Sequence, residues 1–243
     1  TQQLAEFIST LEYSRVPSAA LPIVKQGAID CVGVMFAGRD EPVVRLVSGI
    51  VRSEVEQGEA RLLFDRGRAS APLAALVNAT AGHALDYDDT GLDGHPSVVL
   101  VPAVLAEGER VGASGAELIA AYVAGYETWA ELSFRDQDRH HEKGWHPSAV
   151  FGTVAAAAAA ARLTRLDAGR TTCALGIAAS MASGLAGNFG TMTKPFQVGR
   201  AVQNGLTAAR LAADGMTAAP DALEHRSGLL RAVSPAGRVR TDG

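Results

Sequence analysis

Apolar side chains recur at gaps of three and four along most of the chain. Leu21, Val24, Ala28, Cys31 or Val32, and Met35 share one face of a run that Ser18 is placed to cap and Gly38 to end, which is the helical period. Pro42 suits a first helical turn, and Val43, Leu46, Val47 and Ile50 follow it before Gly58 closes the run. Ser70 and Pro72 open another over Leu73, Leu76, Val77 and Ala84. Ser114 and Glu117 spell an S-x-x-E capping box ahead of Leu118–Leu132. Pro147 opens a helix over 148–163 that contains seven consecutive alanines, Ala155–Ala161. Asp167 is placed to cap 171–183, and Pro195 to start 196–214 with Gly215 as its C-cap. Alternation of strand type is confined to short pieces such as Arg61–Phe64. The pattern predicts about eight helices joined by short turns, an all-α multi-helix bundle. From Gly228 the period fades into an Arg- and Gly-rich stretch, so a helical domain over 1–232 and a domain-edge tail over 233–243 are expected.

Composition sharpens this picture. Hydrophobic residues make up 47% of the 243, but aromatics only 5%, so Ala, Val and Leu carry the core and helices are expected to pack closely. The formal net charge of −4 and the absence of any Lys/Arg cluster beyond Arg238 and Arg240 speak against a nucleic-acid partner. Cys31 and Cys173 lie far apart in apolar stretches and read as two buried free thiols, which points to a reducing, cytoplasmic setting. Thr1–Glu12 is polar and acidic, unlike a signal peptide. No apolar run of roughly 18 residues is free of Gly or polar breaks, so no membrane span is expected.

Three stretches carry candidate chemistry. Asp86-Tyr87-Asp88-Asp89-Thr90 crowds three carboxylates at the C-terminal end of a helix, where the dipole disfavours them, and His95-Pro96-Ser97 follows a Gly91–Gly94 turn. Gly144-Trp145-His146-Pro147-Ser148 repeats the His-Pro-Ser triplet at a helix N-terminus, where main-chain N–H groups favour an anion. Gly190–Gln197 places Lys194 beside Thr191 and Thr193 just before a helix, a setting suited to a substrate carboxylate. Taken singly, these also read as a solvated acidic turn, a capping histidine and an exposed lysine. Taken together, they put acids, imidazoles and a cation at helix ends, which in a bundle converge on one cleft. Arg200 is placed either to bind a carboxylate or to tie its helix to an acid.

The stretches Asn78–Thr90, Gly144–Phe151 and Gly190–Gly205 resemble, in order, the motifs of the MmgE/PrpD family, which includes 2-methylcitrate dehydratase, cis-aconitate decarboxylase and iminodisuccinate epimerase, and the resemblance runs through nearly the whole chain, including Gly112–Glu127. The resemblance implies a large helical domain with a smaller α+β lid domain, a homodimer, and no metal or organic cofactor. It implies His95 and His146 as acid/base residues and Asp86 as an imidazole-orienting acid. Thr90 and Lys194 would bind substrate carboxylates, and Gln197 and Arg200 complete the expected substrate-binding set. The reaction implied is lyase chemistry on a small di- or tricarboxylic acid: dehydration first, decarboxylation next, with epimerisation as a further member activity. Two features depart from the family. Gln197 stands where members often carry His, and the loop from Thr90 to His95 is short. Members are also nearly twice as long. Glu224–Ala232 resembles the exit from the helical domain, so the lid is expected to be missing, which leaves a non-catalytic helical dimerisation module as the alternative.

Two other readings compete. Asp86-x-Asp88-Asp89 also spells the D-x-D-D acid of class II terpene cyclases, but a carbocation cavity needs aromatic walls that this composition lacks. His83, Asp86, Asp89 and His95 form a possible metal-ligand set by composition.

Overall fold

The computed structural model describes residues 1–52, 58–136 and 138–241. Among them are ten α-helices: α1 (Gln2–Thr10), α2 (Ala20–Gly38), α3 (Pro42–Arg52), α4 (Ala71–His83), α5 (Pro96–Val111), α6 (Gly115–Arg135), α7 (Pro147–Leu163), α8 (Ala168–Met181), α9 (Thr193–Ala213) and α10 (Leu229–Val233). The only sheet among the described residues is a two-residue antiparallel pair, β1 (Ala60–Arg61) with β2 (Arg68–Ala69). The fold is all-α, as the periodicity predicts.

Most predicted boundaries hold, for identifiable reasons. Ser114 and Glu117 form the full capping box, and Asp167 accepts the Arg170 N–H at 2.8 Å. Gly215, at φ 98°, takes the left-handed conformation that ends α9. Four expectations need correction. Ser18 does not cap α2, which starts after Ala19 without a side-chain cap. Helix α9 begins at Thr193 rather than after Pro195, so Pro195 sits in its first turn and Lys194 lies inside the helix. Cys31 is buried, but Cys173 is only half-buried. Helices α1 and α10 were not foreseen: α1 buries only Ala5 and Ile8, a stripe too narrow to show in the pattern. The predicted run from Pro42 to Gly58 is helical to Arg52, and its continuation over 53–57 lies outside the described residues.

One helix, α2, is long and apolar enough to cross a membrane by length and composition, although Lys25, Gly27, Asp30 and Gly33 interrupt it. It buries Val24, Cys31, Val34, Met35 and Gly38 along one side and packs on α4 and α5, while Lys25 and Asp30 stay exposed.

Helix α7 is the axis of the bundle. All 17 of its residues are buried, as expected for a helix apolar on every side, and α5, α6, α8 and α9 pack around it. The alanine run makes this possible, because small side chains let neighbouring backbones approach. At Gly205 of α9 the approach is closest: a Cβ there would lie 2.5 Å from Ala156 Cβ and 2.6 Å from the Thr153 carbonyl oxygen of α7. This packing brings the C-terminus of α4 and the N-termini of α5, α7 and α9 to one end of the bundle. Three helix N-termini there supply the positive ends of three dipoles.

Candidate active site

The polar residues at these helix ends line a groove of about 410 Å³ formed by Thr90, Gly91, Asp93, Gly94, His95, His141, His146, Ser148, Phe189 and Lys194. A larger cavity of about 630 Å³ lies elsewhere, between the first turn of α1, α6 and the 223–241 segment, and contains no histidine.

The loop from α4 to α5 is held in an unusual backbone. Asp86, Leu92 and Asp93 all have positive φ, at 57°, 53° and 59°. Gly91 and Gly94 exchange both N–H···O bonds at 2.9 Å around Leu92-Asp93, the pattern of a tight primed turn. The turn is held from outside: Trp129 Nε1 donates to the Leu92 carbonyl at 3.2 Å, and the His95 N–H donates to Ser148 Oγ at 3.0 Å. The second His-Pro-Ser triplet therefore anchors the first.

The crowding of three carboxylates is resolved because each faces a different partner. Asp86 turns outward to Lys194, whose Nζ lies 2.6 Å from its Oδ1. Burial alone would raise the Asp86 carboxyl, but the hydrogen bond and charge of Lys194 bring it below its usual range. Asp88 turns inward to His83 and His95. Asp89 turns backward: its carboxylate accepts from Ser97 N at 3.2 Å and Ser97 Oγ at 2.5 Å, and Ser97 Oγ lies 2.8 Å from the Tyr122 hydroxyl. Burial pushes the Asp89 carboxyl up, Ser97 opposes, and Asp88 and Asp30 add to the rise.

The two histidines expected to do acid–base work sit in opposite electrostatic surroundings. Burial disfavours an imidazolium at His95, but Asp88 and Asp86 outweigh it and raise its pKa. At His146, burial dominates, and the charges of His83, Lys194 and His95 add to it, so its pKa falls to about 4. His146 Nδ1 lies 2.9 Å from Gln197 Oε1, which can only accept, so Nδ1 carries the hydrogen and Nε2 keeps its lone pair. The Phe189 ring stands edge-on to His146 at 4.9 Å, and the Lys194 ammonium lies 5.3 Å from its centre.

The structure therefore brings Asp86, Thr90, His95, His146 and Lys194 to one end of the bundle, around the groove. Two residues of the expected binding set are placed differently. Gln197 stands behind His146, with Oε1 on the imidazole and Nε2 donating to the Leu185 carbonyl at 3.2 Å, so its amide is already engaged. Arg200 is exposed, bonds Gln203 Oε1 at 2.5 Å, and does not line the groove; from Lys194, six residues at 3.6 per turn put it on another face of α9. Sequence reasoning named His83 only as a possible metal ligand and Asp88 only as a member of the acid cluster, giving neither a place in the acid–base site, and it missed Phe189. A histidine ending an apolar helix next to an acid cluster was the available signal for the first two.

One ligand atom each from His83, Asp86, Asp88 and His95 lie within 4.8 Å of one another. The composition-based set differs at one member, since Asp89 points away and Asp88 takes its place. These four are not assigned as metal ligands. Lys194 puts a fixed positive charge on Asp86, and Asp88 is already shared by two imidazoles.

What the arrangement offers is an ammonium, two imidazoles of opposite tendency and three helix N-termini around a small open groove, a set matched to a small polyanion. The chain is 29% identical over 240 residues to human cis-aconitate decarboxylase, covering 94% of this chain and 49% of that protein. It is 30% identical over 236 residues to the mouse cis-aconitate decarboxylase and 28% over 238 to the Aspergillus terreus one, in each case covering 94% of this chain and 48% of the relative. It thus spans about half the length of these relatives. The description "MmgE/PrpD N-terminal domain" matches residues 2–242, and with the helical bundle and its groove it shows that the chain belongs to the MmgE/PrpD family.

Proposed function

We propose that this chain is the helical, acid–base half of a lyase acting on a small di- or tricarboxylic acid. The observation that carries the reading is the opposed surroundings of His95, which faces Asp86 and Asp88, and His146, which is buried against Gln197, around a groove that also holds Lys194. Groups whose surroundings drive their pKa values apart supply an acid and a base at the same pH. In this reading the Lys194 ammonium and the Thr90 hydroxyl bind substrate carboxylates. Neutral His146, with its Nε2 lone pair, removes a proton beside a carboxylate, and the His95 imidazolium delivers one. In a dehydration, the proton from His95 goes to the departing hydroxyl as the carbon–oxygen bond breaks. In a decarboxylation no proton is abstracted: carbon dioxide leaves, and His95 protonates at carbon the electron pair of the broken carbon–carbon bond. In both, the ammonium and the helix N-termini stabilise the enolate-like charge. The relatives' names favour decarboxylation over the dehydration that the motifs alone put first. Homodimerisation and a cytoplasmic location belong to the same proposal.

The test is turnover of cis-aconitate, 2-methylcitrate and related acids by the full-length polypeptide, followed by His146→Ala and Lys194→Ala. Loss of about a hundredfold or more in His146→Ala is expected. Wild-type rates in both variants, or no saturable binding of any di- or tricarboxylate, would sink the reading.

A further inference from the structure

Asp88 is the one acid of the cluster whose side chain has no exposure at all. Both of its carboxylate oxygens lie 3.0 Å from His83 Nδ1, and Oδ2 lies 3.1 Å from His95 Nδ1. The His95 contact is an ion pair by distance that is not aligned as a hydrogen bond, since His95 Nδ1 has no hydrogen-bond partner by geometry. His83 is buried just as deeply. Its ring stands edge-on to His95 at 4.8 Å between centres and nearly parallel to His146 at 5.8 Å. Neither Asp88 nor His83 lines the groove. A carboxylate enclosed in this way cannot reach a substrate, and burying its charge is costly unless partners hold it. It can act only through the imidazoles on either side.

We infer that His83 and Asp88 form a buried positioning pair for His95, in which His83 donates to the Asp88 carboxylate and that carboxylate holds the Nδ1 side of His95, presenting His95 Nε2 to the substrate. This rests on the acid–base reading of the groove. His95 Nε2 is then the atom that carries the transferable proton, and it lies 3.8 Å from Asp86 Oδ1, on the side where Lys194 reaches in. The arrangement parallels the general pattern in which a carboxylate behind a histidine fixes its tautomer and favours its charged form. The groups around His95 are Asp86 and Asp88 from the acid loop, His83 from α4, Lys194 from α9 and His146 from the N-cap of α7, with Asp93 and His141 also lining the groove. Of these, Asp86 and Asp88 favour its charged form, and of the two only Asp88 is shielded from water, so its effect is little screened.

The experiment compares full-length wild type with Asp88→Asn, His83→Gln and His83→Ala. Imidazole titrations are followed by NMR, and kcat and KM for cis-aconitate are measured against pH. In Asp88→Asn, His95 is expected to titrate at lower pH than in wild type. The alkaline limb of kcat should move down with it, kcat at neutral pH should fall by at least about tenfold, and KM should stay within a few-fold. His83→Gln keeps a donor toward Asp88 and should lose less than His83→Ala. The inference is overturned by an unchanged His95 titration in folded Asp88→Asn, or by a loss confined to KM. Should Asp88→Asn fail to fold, a wild-type pH profile in His83→Ala would overturn it as well. If wild type neither binds nor turns over polycarboxylates, the functional reading fails, while the imidazole titrations still decide the positioning role.

Discussion

Lys194 and Asp86, 108 residues apart in the chain, meet at 2.6 Å beside the groove, the first from the opening turn of α9 and the second from a strained loop after α4. The Asp86 carboxylate holds the same ammonium that a substrate carboxylate would need, so the two compete for one charge.

This competition predicts opposite effects on affinity. Lys194→Ala removes a charge-assisted hydrogen bond worth about 1.5–3 kcal/mol and should weaken tricarboxylate binding by at least about tenfold. Asp86→Asn releases the ammonium and should tighten binding, while lowering kcat because His95 loses one of the two acids that keep it protonated. Calorimetry with a tricarboxylate reads both. Weaker binding in both variants would mean that Asp86 positions Lys194 rather than competing for it.

The two imidazoles predict a broad pH plateau. The base works when neutral, so activity is lost as pH falls through about 4, where His146 takes up its proton. The acid works when protonated, so activity is lost as pH rises through the raised value of His95, above the ordinary histidine value of about 6.5. Two unperturbed histidines would titrate together and leave no plateau. The profile of kcat/KM against pH, read beside NMR titration of the two rings, checks this.

Gln197 is expected to affect rate rather than binding. Its Oε1 fixes the His146 tautomer, so Gln197→Ala should lower kcat by about tenfold or more with KM nearly unchanged. A rise in KM alone would restore the direct substrate contact expected from the sequence.

Packing of α9 on α7 sets where Lys194 sits. Gly205→Ala drives a methyl into the α7 backbone and should cost about 1–3 kcal/mol in urea unfolding. Stability equal to wild type would show that the helices can separate there without cost.

Much of the helical layout was legible in the sequence. The alanine run of α7, the Ser114–Glu117 box and the Asp167 cap follow from local preferences that act within one or two turns. The short helices were hidden because too few of their residues are buried to leave a periodic mark. The start of α9 was misplaced because Pro195 is as well suited to the first turn of a helix as to its first position.

For the site, the sequence by itself determined the inventory: three acids in four residues, two His-Pro-Ser turns and a lysine at the start of a helix, all at helix ends. Only the tertiary structure decided how they divide the work. Asp86, Asp88 and Asp89 are chemically alike and adjacent in sequence, yet one faces Lys194, one is enclosed by two imidazoles and one ties back to Ser97. The same holds for the two histidines, whose identical Pro-Ser contexts give no hint that one is favoured charged and the other neutral. Charge state and side-chain direction depend on burial and on groups a few ångströms away. Those neighbours are set by helix packing between segments as much as 108 residues apart.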